Sequence, residues 1–215
     1  LCSLMLTLAL EVSQQINGDS HVLTASYIYR TAANNYTLAY SSSRELRNMY
    51  LENALESFQE ALSVYTSIET SGADVKAEIL NCMYAVAVIT KDLRRMDDAL
   101  DCLEETEKFI MTTYNTGGMN SRDLAIIPLV AISSLSLLVD FLMRRNECSR
   151  ALKTLKIIWK AVQFRPSHFF DIHEILSKLS CKMLSLLLSS QSYSTRNLRS
   201  GAALATAALP SAAVM

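Results

Sequence analysis

Three stretches of the chain place a small residue, an apolar residue four positions on, and a third packing position three further. The sets are Ala54, Phe58 and Ala61; Ala99, Leu103 and Thr106; and Ala151, Leu155 and Ile158. Steps of four and three put the members of each set on one face of an α-helix. Alanine at the centre of such a face lets a neighbouring helix come close, while larger side chains fill the space on either side. Leu51, Met96 and Cys148 precede the three alanines by three positions and extend each face by a turn.

Each set has an apolar face upstream. Met83, Val86, Ala87 and Thr90 stand at the same offset from Ala99 as Leu135, Leu138, Val139 and Leu142 do from Ala151. The counterpart for Ala54 is Tyr29, Ala32, Ala33 and Tyr36, displaced by the serine-rich break after Tyr40. The chain therefore reads as helical hairpins. With only 5 Gly and 3 Pro in 215 residues, it favours long helices joined by short polar turns. The expected helices cover about 1–16, 21–40, 45–70, 75–91, 96–113, 124–143, 148–164 and 168–190. One hairpin cannot bury its own apolar face, so neighbours must stack. The expected fold is all-α: a stack of antiparallel helical hairpins over 1–190, then a low-complexity, disordered tail over 191–215. A generic antiparallel bundle accounts for the same stripes.

On these residues the chain resembles the tetratricopeptide repeat. That family carries a small pair and a tyrosine on its first helix, and Ala, Phe, Ala on its second. Ala54, Phe58 and Ala61 match the second-helix pattern closely, the sets at Ala99 and Ala151 more loosely. The steps between alanines are 45 and 52 (54 to 99, 99 to 151), against about 34 in the family. The resemblance implies a right-handed α-solenoid and a non-catalytic protein–protein interaction scaffold. Its concave face, lined by first helices and here by exposed positions near 79–91, would hold a partner's peptide or helix. More loosely, the order of a degenerate hairpin at 53–66, a long helical pair at 76–111 and leucine-rich hairpins to about 190 is similar to the meiotic crossover scaffold family first described in yeast sporulation. That likeness implies a nuclear role in meiotic recombination and chromosome synapsis.

Charge and chemistry add little. The net charge is −1, which gives no field for nucleic acid. Asp97, Asp98, Asp101, Glu104, Glu105 and Glu107 form an acidic run, and Arg144, Arg145, Arg150, Lys153, Lys156 and Lys160 a basic one. Both read as solvated faces. Asp97, Asp101 and Glu104, and Arg145, Arg150 and Lys153, are the candidates for docking a partner segment of opposite charge. His168 and His173 are five apart, so they do not share a helix face as a metal pair at i, i+4 would. His21 reads as a surface or capping residue, and Trp159 as core. No phosphate loop, zinc-protease or nucleophile motif occurs, so neither enzyme activity nor a cofactor is expected. Five scattered cysteines without a Cys-x-x-Cys suit a reducing, intracellular compartment. Residues 124–143 are apolar enough to raise the alternative of a membrane anchor, against which stand Asp140 and three serines. Residues 1–12 lack the basic segment of a signal peptide, and the start at Leu1 suggests a piece of a longer protein.

Overall fold

The structure, a computed structural model, describes residues 2–68, 72–114 and 127–163, and beyond them Cys181 and Leu184. Among the described residues it is all-helical, with seven helices and no strand. These are α1 (Cys2–Asn17), α2 (Val22–Ser41), α3 (Arg44–Ser67), α4 (Ala73–Asp92), α5 (Met96–Thr113), α6 (Leu129–Arg144) and α7 (Cys148–Gln163). The loop expected at 115–121, all of the helix expected at 168–190 but Cys181 and Leu184, its two histidines included, and the tail at 191–215 lie outside the described residues.

Each helix packs on the next in chain order, and α4 also packs on α6. The most extensive pairing, α2 on α3, rests on alanine. Ala25, Ala32 and Ala39 recur every seven residues along α2, Ala54 and Ala61 do so along α3, and all five are fully buried. A seven-residue repeat keeps small side chains at successive crossings of two helices, so the backbones can approach closely. Leu51, Phe58 and Tyr65 fill the space between and beyond them. The expected α2 face was therefore rotated. Ala32 is core, but Tyr29, Ala33 and Tyr36 are only half-buried. Tyrosine counts as apolar in a periodicity argument, yet it keeps a polar tip that favours a position at the edge of water.

The second-helix sets are buried as a face should be: Ala99, Leu103 and Thr106 on α5, and Ala151, Leu155 and Ile158 on α7. α4 contributes to every part of the core. Leu80 and Ala87 join α5, α6 and α7; Val86 and Ile89 join α2 and α3; Ile79 and Cys82 pack beside Ala61 and Tyr65. A helix with neighbours on several sides has little polar face, which is why α4 reads as mostly apolar.

Two turns are built alike. Arg94 N–H donates to Lys91 O and Arg95 N–H to Thr90 O, both at 3.0 Å. In the next hairpin Asn146 N–H donates to Met143 O (3.1 Å) and Glu147 N–H to Leu142 O (2.9 Å). Both turns close the last carbonyls of a helix through one residue in the left-handed region, Arg94 at φ 66° and Asn146 at φ 61°. The two hairpins thus repeat their turn at the same 52-residue step that separates Ala99 from Ala151 (94 to 146).

The readings of 124–143 and of Trp159 are corrected. Of the apolar run at 124–143, the described part from 129 on lies in α6, 16 residues long, shorter than the roughly 20 needed to span a bilayer. Its Ile132, Leu135, Leu138, Val139 and Leu142 are buried within the protein. Among the described residues, no helix is long and apolar enough to cross a membrane. On α1, Leu4, Leu8 and Val12 do not face the described core; Leu4 is 61% exposed. Trp159 is half-buried rather than core. His21, read as a surface or capping residue, caps α2, its Nδ1 accepting from Leu23 N–H at 3.2 Å.

Candidate interaction groove and charge seam

α2 and α4 both pack against α3, which leaves a groove of about 360 Å³ between them. Phe58 of α3 and Ile89 of α4, each nearly fully buried, form its floor. Half-buried Tyr29 and Tyr36 come from α2, and Asn81, Tyr84 and Val88 from α4. The small residues Ala33 and Ala85 keep it open, since any larger side chain there would fill it. Asn81, Tyr84, Ala85 and Val88 lie in the stretch 79–91 that was expected to offer exposed first-helix positions, but every residue of that stretch is buried or half-buried. The rotation of α2 is what brings Tyr29 and Tyr36 to meet them.

The tyrosines are held in place. Tyr29 meets Phe58 edge to face at 5.2 Å between ring centroids. Tyr36 meets Tyr40 the same way at 5.1 Å, and its hydroxyl lies 3.2 Å from the Tyr40 hydroxyl and 3.4 Å from Asp92. It has one proton, so it donates to one of them at a time. Tyr40 donates to the same Asp92 oxygen. Burial, then the hydrogen bond to Tyr40, pushes the Tyr36 phenol well above its usual range, and burial also raises Tyr29. Both hydroxyls stay protonated at neutral pH and can donate hydrogen bonds. The groove is an apolar slot with hydroxyl and amide groups at its edge and no charge, suited to binding rather than bond-breaking.

The charged candidates are arranged differently from two independent solvated faces. Arg145, in the turn before α7, pairs with Asp97 at the start of α5. Arg150 of α7 donates to Glu104 at 2.6 Å and to Glu107 at 3.1 Å, and Thr154 Oγ1 donates to the other Glu107 oxygen at 2.9 Å. The hydrogen bond to Glu104 raises the Arg150 pKa further. The acidic run of one hairpin and the basic run of the next are thus partners across α5 and α7, and four of the six docking candidates engage one another. Asp101 and Lys153 remain exposed. One hairpin earlier, Arg95 binds Glu52 at 2.5 Å. Glu52 and Asp97 each stand two residues before their packing alanine, Ala54 and Ala99, so a turn arginine reaches the same position of the preceding second helix twice. Spacing alone could not show this, because it depends on how consecutive hairpins sit side by side.

Among the described residues, no cluster of three or more His, Cys, Asp or Glu is arranged to hold a metal ion. Cys82 is buried, and burial raises its thiol to about 12, the opposite of what a nucleophile needs. Neither a scan against protein-family models nor a search of curated proteins finds a match for this chain.

Proposed function

We propose that this chain is a tetratricopeptide-like, non-catalytic interaction scaffold, and that the groove between α2 and α4 takes a short peptide segment of a partner protein. The carrying observation is the groove itself: aromatic walls and an apolar floor, formed where two first helices flank a second helix. The neighbour-to-neighbour packing, the repeated turn and the repeated arginine–carboxylate link support a stack of related hairpins. Half-exposed tyrosines suit peptide recognition, because a rigid ring offers apolar contact at small entropic cost while its hydroxyl bonds the backbone. The meiotic association rests on the sequence resemblance alone.

The test is selection of a displayed peptide library on the folded protein, followed by fluorescence anisotropy of the enriched peptides. Tyr84→Ala with Val88→Arg removes one wall and places a charge in the slot. Losing an aromatic contact of about 1.4 kcal/mol or more weakens binding at least tenfold. Both side chains are half-exposed, so circular dichroism should show unchanged helix content. Enriched peptides that bind the double variant as tightly as the wild type would refute the groove as the site.

A further inference from the structure

A second depression lies beyond the groove. A cleft of about 670 Å³ opens between the start of α3, the turn joining α4 to α5, and the C-terminal half of α6. Arg44, Arg47, Lys91, Arg94 and Arg144 line it. Against these five cations stand two carboxylates, Asp92 and Asp140, a formal balance of +3 (5 − 2). The whole chain carries −1, so positive charge is concentrated here.

Fold stability accounts for only part of this concentration. Lys91 and Arg144 sit in the last turns of α4 and α6, where the helix dipole favours cations. Arg44 and Arg47 open α3, where the dipole disfavours them. Arg94 occupies left-handed backbone, which a residue with a Cβ adopts at a cost. Among the described residues, Arg44, Arg94 and Arg144 make no ion pair, and Arg47 lies over the Tyr40 ring, 4.7 Å from its centroid. Asp92 already accepts from Tyr40 and lies 3.9 Å from Lys91. Arg44 and Arg94, held against local preference and without an ion pair, point to a separate anionic partner.

We propose that this cleft binds an acidic peptide segment of a partner protein, with carboxylate or phosphate groups seated among the arginines. Guanidinium groups bind both anions through paired N–H donors. A peptide fits better than nucleic acid for three reasons. Asp92, on the wall of the cleft, would repel a continuous phosphate backbone, whereas side-chain anions can be spaced around it. The Tyr40 ring is covered by Arg47, so no free stacking platform is offered. The charge is a pocket rather than a track.

The probes are a short fluorescein-labelled peptide of alternating Glu and Ser, the same peptide with phosphoserine, and a single-stranded oligonucleotide of equal length. None has an apolar side chain that the groove would select, so the result is independent of the groove's role. Anisotropy at low salt should show both peptides binding, the affinity falling as salt is added. A triple variant, Arg47→Gln, Arg94→Asn and Arg144→Gln, should bind them at least tenfold more weakly. Asparagine keeps the left-handed turn, as Asn146 does in the next hairpin. Arg44→Glu alone, exposed and outside the core, should also weaken binding, whereas Lys108→Gln with Lys156→Gln should stay within about twofold. Failure of both peptides to bind, equal loss in the two multiple variants, or tighter binding of the oligonucleotide would overturn the proposal.

Discussion

Arg94 and Asn146 occupy the same place in successive turns, and both hold left-handed backbone. Asparagine tolerates that region; arginine gains nothing from it. Arg94→Gly should therefore stabilise the protein by about 0.5–1 kcal/mol, read as a higher urea midpoint with an unchanged slope. A lower midpoint would show that the Arg94 side chain contributes more to the fold than its backbone costs. Cys82 gives a second expectation at this scale. Its thiol is raised from 9.0 to about 12 by burial, with Glu78 adding to the effect. A raised thiol means the unfolded chain loses its proton first. The stabilising effect is therefore complete below about pH 9 and is lost as pH rises from there through about 12. Tyr65, raised from 10.0 to about 12, acts in the same direction. Melting temperatures should fall through this window, and Cys82→Ala should flatten the early part of the fall. A thiol reagent at neutral pH should leave Cys82 unmodified until the protein unfolds. Single residues such as Ala99 and Leu155 were legible as core, because a buried face leaves a periodic trace in sequence. The α2 tyrosines were not, because their rings look like core and their hydroxyls do not.

Helices pair here by two means, apolar faces and charge. The apolar faces of α3, α5 and α7 could be read from their steps of three and four. The seven-residue alanine repeat of α2 could also have been found, had small residues been weighed above aromatic ones. The charge seam could not, since Arg150 meets Glu104 and Glu107 only when α7 is laid beside α5. The same holds for the arginine cleft, which three separate segments assemble. The seam is partly exposed, so its contribution is modest. A double-mutant cycle of Arg150→Met and Glu104→Gln should give a coupling of about 1 kcal/mol, reduced in high salt. Zero coupling would mean that the pair is incidental and that apolar contacts alone seat α7.

Over the described residues, the helical class and most helix boundaries were legible, because few glycines and prolines interrupt long periodic segments. The way in which one hairpin meets the next was not, because no local spacing encodes it. The proposed function rests on hairpins that stack. If hairpins contact mainly their neighbours, damage at one end should stay local. Leu155 of α7 is fully buried and belongs to the core cluster shared with α5 and α6, whereas α2 and α3 have their own clusters with α4. Native-state hydrogen exchange of Leu155→Ala tests this most directly. The loss of about 2–5 kcal/mol should appear as reduced protection in α6 and α7, with α2 and α3 protected as in the wild type. An equal loss of protection in all the helices would contradict the stack and make the protein a single cooperative bundle.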